Sequence, residues 1–215
     1  MEFKAYTDCL LSAFVHHTRQ SDVVKRKKEI IGGVGEFYNI APDTILYIGF
    51  SPAILVEQAA EIYVTEVSEN VLAYLTEQKI NVKHIPKDKL VDYKKQFQVV
   101  VALDEYFTFA NTDDGQKLSV AEICNLASEY LITTCKDYKN QNFKDREFSV
   151  PALIRNSGKN QIFLEFHDYD LQDRLSWKTT VHEVLGNKLT VAGPFARRAM
   201  FFKQLAKFAY DAEAI

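Results

Sequence analysis

The sequence predicts an α/β fold built on a doubly wound, mostly parallel sheet with antiparallel strands at one edge. Strand and helix patterns alternate from Thr44 to Thr134, which is typical of a parallel sheet with helices on both faces. The last third is rich in strand patterns and contains the two-residue hairpin signal Gly186-Asn187. We expect an N-terminal helical extension over residues 1–40, one domain over residues 41–215, and a C-terminal helix.

The first strand of this domain is the apolar run Ile45 to Ile48, which Gly49 follows. A residue without Cβ allows a sharp turn or a close backbone approach at that point. Ser51 then provides a hydroxyl N-cap, Pro52 suits the first helical position, and a helix is predicted to run toward Ala60.

A second strand, Ile62 to Thr65, ends at Glu66, and Ser68 is the next candidate N-cap. Strand, turn, helix and strand together form a crossover unit. Ligands of such units bind beyond the carboxyl ends of the strands. The sequence therefore places a potential ligand site beside Gly49 and Glu66.

This unit resembles the cofactor-binding half of class I S-adenosylmethionine (SAM) dependent methyltransferases, which have a Rossmann-like fold. Gly49 lies in the family's glycine-rich loop, and Glu66 stands where the family holds the ribose hydroxyls. Tyr47 occupies the family's acidic position, and Ser51 and Ala53 occupy two of its glycine positions. The resemblance implies a methyltransferase that binds SAM. Its cofactor-binding residues would include Tyr47, Gly49, Phe50, Ser51 and Glu66.

Residues 69–78 are predicted to form a helix and Ile80 to Ile85 a third strand, which Pro86-Lys87-Asp88 ends. In the family, a polar residue after this strand faces the adenine amino group, and the resemblance gives Asp88 that role. A capping role for Asp88 before a short helix fits the sequence equally well.

The fourth strand is the continuous apolar run Phe97 to Leu103, as expected when both faces of a strand are covered. It leads into Asp104-Glu105-Tyr106. In the family this strand end lies beside the sulfonium and the acceptor. Asp104, Glu105 and Tyr106 are therefore our candidate catalytic or substrate-contacting residues, with Asp104 also a cofactor ligand. The alternative is that Asp104 caps the next segment and Tyr106 packs in the core.

The remaining segments have helix, strand or loop patterns. We expect a helix over 2–19, a second helix from Ser21 or Asp22 to Phe37, a helix over 118–127, a strand over 130–134, a polar loop over 136–149, a short helix over 150–156, strands over 162–166, 179–185 and 188–192, and a helix from Gly193-Pro194 to about Ala212. The family resemblance implies that the N-terminal helices cover the cofactor or help to bind substrate. The C-terminal helix lies outside the minimal family fold and is a candidate homo-oligomer interface.

Two further groups of side chains are candidates for function. His167 and Asp168 follow a strand pattern and are candidates for a base with its orienting carboxylate, although such a histidine is more often an ordinary polar residue. The run Lys25 to Lys28 is better explained as a solvated helix face than as an anion-binding patch.

Composition excludes several classes of function. The formal net charge is −3, so a nucleic-acid partner is not expected. No apolar run reaches the roughly 20 residues of a transmembrane helix, and the N-terminus lacks the pattern of a signal peptide. The three cysteines are widely spaced, which favours reduced thiols in the cytoplasm over disulfides or a metal site.

Two functions remain open from the sequence. The first is an active SAM-dependent methyltransferase that acts on a small molecule or a protein, which Gly49, Glu66 and Asp104 favour. The second is a methyltransferase-fold protein without catalysis that serves as a binding or structural partner, which Tyr47 favours. The sequence leans toward the first. Motifs for methylating nucleic-acid bases are absent, and Gly49-x-Ser51 fits a nicotinamide-dinucleotide fingerprint poorly.

Overall fold

The computed structural model of the protein describes residues 2–18, 29, 42–57, 59–103, 105–136, 138, 144–156, 159–173 and 175–213. The strands of the first sheet are β1 Thr44–Ile48, β2 Glu61–Thr65, β3 Val82–His84, β4 Phe97–Ala102 and β5 Ala127–Thr133, and those of the second are β6 Arg146–Asn156, β7 Lys159–Tyr169, β8 Ser176–Leu185 and β9 Lys188–Arg198. The α-helices are α1 Glu2–Cys9, α2 Leu11–Thr18, α3 Glu69–Glu77, α4 Asp113–Cys124 and α5 Phe202–Glu213, and short 3₁₀ helices span Pro52–Val56, Lys87–Tyr93 and Tyr106–Phe109.

The first sheet is parallel, with strand order β3-β2-β1-β4-β5 in the described residues. β1 and β4 are neighbours, as predicted, and Ile45 lies opposite Val99. One face of the sheet, with Leu46 and Val100, packs against α1, α4 and α5. The opposite face, with Ile45, Tyr47, Val99 and Val101, packs against the 3₁₀ helix after β1 and against α3. Both faces are therefore covered, and the predicted doubly wound α/β fold is confirmed.

The antiparallel strands form a sheet of their own, with order β6-β7-β8-β9 within the described chain, rather than extending an edge of the parallel sheet. The predicted hairpin at Gly186-Asn187 joins β8 to β9. The helices α1 and α2 pack on the inner side of this second sheet, where Leu10 and Ala13 share a buried apolar cluster with Phe163 and Phe195. The N-terminal helices therefore lie against both sheets.

The segment between β1 and β2 differs from the prediction. Ser51 caps it as expected, but the segment forms only a 3₁₀ helix that ends at Val56, not a helix reaching Ala60. Glu57 is extended, because one carboxylate oxygen accepts the Tyr47 hydroxyl at 2.6 Å and the other accepts the Ala59 N–H at 3.1 Å. These side-chain bonds hold the chain straight where a helix would have continued.

In the last third one helix prediction was wrong, and the predicted C-terminal helix is confirmed but begins later than expected. Residues 150–156 belong to strand β6, in which Ala152 and Ile154 are buried while Leu153 and Arg155 are exposed. A period of two is the strand period. β9 continues through Pro194 to Arg198, so the last helix starts at Phe202. A proline is tolerated there because β9 is an edge strand of its sheet.

The N-terminal prediction was right in part. Two helices, α1 and α2, replace the single helix expected over 2–19, and the buried Leu10 stands between them. The helix predicted from Ser21 to Phe37 lies outside the described residues except for Glu29, and so does the expected boundary at residues 40–41. No helix of the described residues is long and apolar enough to cross a membrane.

Candidate functional site

The ends of β1, β2 and β4 meet at one edge of the parallel sheet. Gly49, which follows β1, has a φ of +77°, and its N–H donates to the Thr65 carbonyl at 2.8 Å. Glu66, which follows β2, has a φ of +56°. Both chain turns therefore leave the sheet sharply and open a crevice at the place where doubly wound folds bind ligands.

A pocket of about 270 Å³ lies at this edge. Its walls come from α1, from the ends of β2 and β4, and from α4. The lining residues are Glu2, Phe3, Glu66, Lys87, Tyr106, Phe109, Ala110, Gly115, Leu118, Ser119 and Glu122.

Glu66 is the buried acid of this pocket, with 2% of its side chain exposed. Its Oε1 lies 2.6 Å from Lys87 Nζ, although no hydrogen bond of normal geometry to this oxygen is found among the described residues. Burial lowers the pKa of Lys87, but Tyr106, Glu66 and Glu122 raise it, and the net direction is upward. Lys87 therefore stays charged and offsets the cost of burying the Glu66 carboxylate.

Asp88 is exposed and lies outside the pocket lining. The 3₁₀ helix that starts at Lys87 turns the lysine, not the aspartate, toward Glu66. Sequence reasoning missed Lys87. The signal was its position directly after Pro86, next to the residue that the family resemblance selected.

Tyr106 lines the pocket and is buried. Burial raises the pKa of its hydroxyl. Its ring packs edge-on against Phe3, with ring centroids 5.0 Å apart. Asp104, the other candidate at the start of this turn, lies outside the described residues.

Phe3 covers the glycine turn. A Cβ built on Gly49 would overlap Cε1 of the Phe3 ring and would lie 3.0 Å from Cζ. The family resemblance places the methionine end of the cofactor beside this glycine. In this structure an aromatic ring from α1 fills part of that space, and nothing in the sequence pattern of α1 indicated it.

The other loop residues point away from the pocket. Tyr47 is 1% exposed, lies in the core of the opposite sheet face, and donates to Glu57 at 2.6 Å. Burial, and then the Glu57 carboxylate, raise the pKa of Tyr47 well above its ordinary value. Phe50 packs against Tyr74, and Ser51 is buried as the cap of the 3₁₀ helix.

Glu105 belongs to a second polar cluster, between the two sheets. Its φ is +61°, and its Oε2 accepts a hydrogen bond of 2.6 Å from the Arg197 guanidinium, which is 5% exposed. Arg197 also donates to Thr108 Oγ1 at 3.0 Å and lies over the ring of Phe109 at 4.5 Å. This ion pair ties β9 to the end of β4.

His167 faces the same cluster from β7. Its Nδ1 lies 3.1 Å from Thr179 Oγ1, and burial lowers its pKa, so the imidazole is neutral at pH 7. Asp168 does not orient it, because neighbouring residues of a strand point to opposite faces and Asp168 pairs with Arg146. The buried carboxylate on the side of His167 is Glu165, which accepts the Tyr6 hydroxyl at 2.6 Å.

The predicted residues thus fall into separate groups. Glu66 and Tyr106 line the pocket beside Gly49, and Glu105 and His167 lie in the Arg197 cluster. Tyr47, Phe50 and Ser51 are buried behind the turn, and Asp88 is in solvent. No group of three or more potential metal ligands occurs in the described part of the chain.

The pocket fits one part of SAM better than the other. The buried Glu66 carboxylate can accept hydrogen bonds from hydroxyl groups, such as those of a ribose. The three carboxylates of Glu2, Glu66 and Glu122 against the single ammonium of Lys87 suit a cation such as the sulfonium. Against this, about 270 Å³ is slightly below the roughly 300–1,000 Å³ of ligand pockets, and the Phe3 ring fills space beside Gly49.

Comparison with known proteins gave matches to solved structures only. No family model and no curated protein matches the chain. DesVI from Streptomyces venezuelae is similar with a TM-score of 0.62 and 12% identity, covering 90% of this chain and 89% of that one. SAM-bound CalS10, an amino pentose methyltransferase from Micromonospora echinaspora, is similar with a TM-score of 0.58 and 12% identity, and the match covers 91% of this chain and 82% of that one. The CcbJ methyltransferase from Streptomyces caelestis is similar with a TM-score of 0.57 and 16% identity, and the match covers 79% of this chain and 71% of that one.

These similarities agree with the topology described above. The chain has the class I SAM-dependent methyltransferase fold. At such low identity the comparison concerns the fold, and the function has to be argued from the site.

Proposed function

We propose that this protein is a SAM-dependent methyltransferase that acts on a small molecule. The observation that carries the proposal is Glu66, a buried carboxylate that ends β2 and faces a pocket also lined by Tyr106. A buried charge is costly unless it has partners, and Glu66 Oε1, although 2.6 Å from Lys87 Nζ, has no hydrogen-bond partner among the described residues. Ribose hydroxyls would provide further partners.

The chemistry asked of the chain is mainly positioning. When bound, SAM supplies a methyl group on a sulfonium that is already activated for in-line displacement. Glu66 would hold the ribose, and Lys87 would balance the charge of the Glu66 side chain and fix its position. Holding acceptor and donor in line can lower the barrier by roughly 7–11 kcal/mol through orientation.

A small-molecule acceptor is favoured over a protein by two neighbours, the amino pentose methyltransferase CalS10 and the sugar N-methyltransferase KedS8. An amine acceptor has to lose a proton, and His167 is neutral at pH 7 and therefore able to take one. His167 and Glu105 lie in the Arg197 cluster and not among the lining residues of the pocket, so their catalytic roles stay predictions.

A second function is favoured by Phe3. The ring on Gly49 and the short 3₁₀ helix after it both depart from what a methionine-binding loop requires. These features fit a methyltransferase-fold protein that has lost cofactor binding and serves as a binding or structural partner.

Calorimetric titration with SAM and with its demethylated product tests the two functions. We expect micromolar binding by the natural chain and binding at least about tenfold weaker by Glu66→Gln, because a hydrogen bond to a charged group contributes roughly 1.5–3 kcal/mol. Glu77→Gln, which changes an exposed carboxylate of α3, is the matched control and should bind as the natural chain does.

Phe3→Ala separates the remaining outcomes. Binding by Phe3→Ala alone would mean that the site is intact but closed by the ring. No binding by either the natural chain or Phe3→Ala would contradict the cofactor proposal and support the second function.

A further inference from the structure

The antiparallel sheet has an apolar outer face. Side chains alternate along each strand, and the inner set, which includes Phe163, Val181 and Phe195, packs against α1 and α2. The opposite set points outward. We call the following residues the outer face: Phe148, Leu153, Ile162, Leu164, Phe166, His182, Val184, Leu189 and Val191.

The outer face is continuous across all four strands. Leu153 lies opposite Ile162, Ile162 opposite Val184, and Val184 opposite Leu189, so one apolar row crosses the sheet. A second row lies beside the first and consists of Leu164, His182 and the bulge of β6. Phe148 and Phe166 pack together in a third, with ring centroids 6.3 Å apart.

Much of this surface is exposed in the single chain. The exposed fraction is 70% for Phe148, 43% for Leu153 and 58% for Leu189. Large contiguous apolar patches on soluble proteins mark interaction sites, whereas single exposed apolar residues do not. The other exposed apolar residues of the parallel-sheet half, such as Val91 and Leu118, stand singly on separate elements.

We propose that a second copy of this chain covers the outer face, so that two antiparallel sheets pack face to face around a twofold axis. Aligned sheets about 10 Å apart are a common stable packing. The size of the face suits a dimer. Four strands of up to 11 residues present roughly 700 Å² on one side, and a stable interface takes about 800 Å² from each partner.

The distribution of charge on this side also fits a protein interface. Charged groups lie at the ends of the sheet and not in its centre. At one end, Arg146 pairs with Asp168, and Lys178 lies opposite Asp168. Arg155 lies at the other end, beyond Leu153. An apolar centre with a charged rim is the usual anatomy of contacts between subunits.

The edges of the same sheet are not suited to association. β6 and β9 are its edge strands, and each contains a proline, Pro151 and Pro194. Proline lacks the N–H that strand addition requires, and it protects sheet edges from pairing with other chains. A partner would therefore contact the face of this sheet rather than extend it.

The C-terminal helix, our initial candidate for an interface, offers less apolar surface. α5 buries Leu205 and Ala212 in the core of its own chain. Its exposed rings, Phe202 and Tyr210, are separated by Lys203 and Lys207. The outer face of the antiparallel sheet is larger and more uniformly apolar.

Sedimentation velocity over a range of protein concentrations tests the proposal independently of cofactor binding. The natural chain is expected to be a dimer at micromolar concentration. Leu189→Lys/Val191→Lys places two charges on the outer face, in neighbouring rows, and should weaken dimerisation at least about tenfold, because a buried unpaired charge is costly. Both positions are more than half exposed in the single chain, so the fold should survive, which circular dichroism can verify.

The matched control is Val91→Lys/Leu171→Lys, which adds the same charge at exposed apolar positions outside the outer face, 80% and 67% exposed. It should remain dimeric. If the natural chain is monomeric at 100 µM, about 100-fold above a micromolar dissociation constant, the proposal is overturned. The face would then be left for another kind of partner. Equal dissociation of both variants would overturn the proposal as well.

A cross-linking experiment locates the interface. His182→Cys lies near the centre of the outer face and should form a covalent dimer with a bis-maleimide, which alkylates two thiols and spans about 10 Å, the usual spacing of packed sheets. Val91→Cys and the natural chain, which retains Cys9, Cys124 and Cys135, should not. A dimer in solution without this cross-link would mean that another surface forms it, and would overturn the assignment to the outer face.

Discussion

Phe3 of α1 lies directly against the backbone of Gly49, so the first helix of the chain closes the first turn of the parallel sheet. A Cβ on Gly49 would overlap the ring at Cε1 and lie 3.1 Å from Cδ1. The ring also contacts Tyr106 and Phe109 edge-on. The glycine is therefore required twice, once for its φ of +77° and once for the close approach of the ring.

The first prediction separates these two requirements. Gly49→Ala should lower the free energy of unfolding by about 1–2 kcal/mol for the left-handed backbone and by a further ~1–3 kcal/mol for overpacking against Phe3. Gly186→Ala is the matched control, because its φ is +58° and no described atom outside its chain neighbours lies within 4 Å of the new Cβ. It should show the backbone cost alone. Urea unfolding of both variants measures the difference, and equal losses would contradict the overpacking.

The second prediction concerns the Tyr47 hydroxyl and its bond to Glu57. Because burial and Glu57 raise the pKa of Tyr47 in the folded protein, folding favours the neutral phenol. The resulting stability is complete below the ordinary tyrosine pKa of about 10 and is lost as the pH rises above it. Tyr47→Phe should therefore flatten the fall in urea midpoint at alkaline pH.

Tyr210→Phe is the control for that experiment, since Tyr210 is 74% exposed. At pH 7, Tyr47→Phe should cost about 1–3 kcal/mol for the lost bond to a carboxylate. A variant that is as stable as the natural chain at pH 7, with an unchanged alkaline profile, would mean that the hydroxyl bond contributes nothing.

The sequence predicted the parallel sheet well because its strands are apolar, short and bounded by residues typical of turns and helix caps, such as proline, glycine and serine. The run Phe97 to Leu103 has no alternation, as a strand buried on both faces should, and it lies in the centre of the sheet beside β1. Ser68 accepts the N–H of Val71 as the cap of α3, as its position predicted. These features depend on neighbouring residues, so they can be seen in one sequence.

The errors arose where distant residues decide. Residues 150–156 form a strand because β7 pairs with them, and a short apolar run does not distinguish strand from helix. The choice of Lys87 over Asp88 depends on how the 3₁₀ helix turns beside Glu66. The contact of Phe3 with Gly49 joins residues that are far apart in the chain, and an amphipathic helix pattern does not reveal which element its apolar side chain reaches.

The third prediction concerns the loss of stability in acid that His167 causes. Burial lowers its pKa, Glu165 and Glu105 oppose this, and Arg197 and Lys136 reinforce it. Since the unfolded histidine titrates near 6.5, the neutral form supports folding above that pH, and this stability is lost as the pH falls below it. His167→Gln should reduce the loss of stability between pH 7 and pH 5. His84→Gln, which changes an exposed histidine, should not. Identical acid profiles for all three chains would contradict the assignment.

The last prediction concerns Arg197, which joins the two sheets through Glu105. Its guanidinium is buried and donates to both Glu105 and Thr108. Its cation also lies over the rings of Phe109 and Trp177, at 4.5 and 5.2 Å. Arg197→Met keeps much of the side-chain volume but leaves Glu105 without its counter-ion. Removing one partner of a buried pair costs about 3–5 kcal/mol.

Arg197→Lys should also destabilise, because an ammonium cannot reproduce the planar contacts with Glu105, Thr108 and the rings. Arg155→Met, at an exposed position of β6, is the control for loss of an arginine and should change stability by less than about 0.5 kcal/mol. Combining Arg197→Met with Glu105→Gln removes the unpaired charge, so the double variant should lose less than the sum of the single losses, with a coupling of roughly 0.5–3 kcal/mol. Strictly additive losses would show that Arg197 acts through packing on the rings alone and that the ion pair does not hold the sheets together.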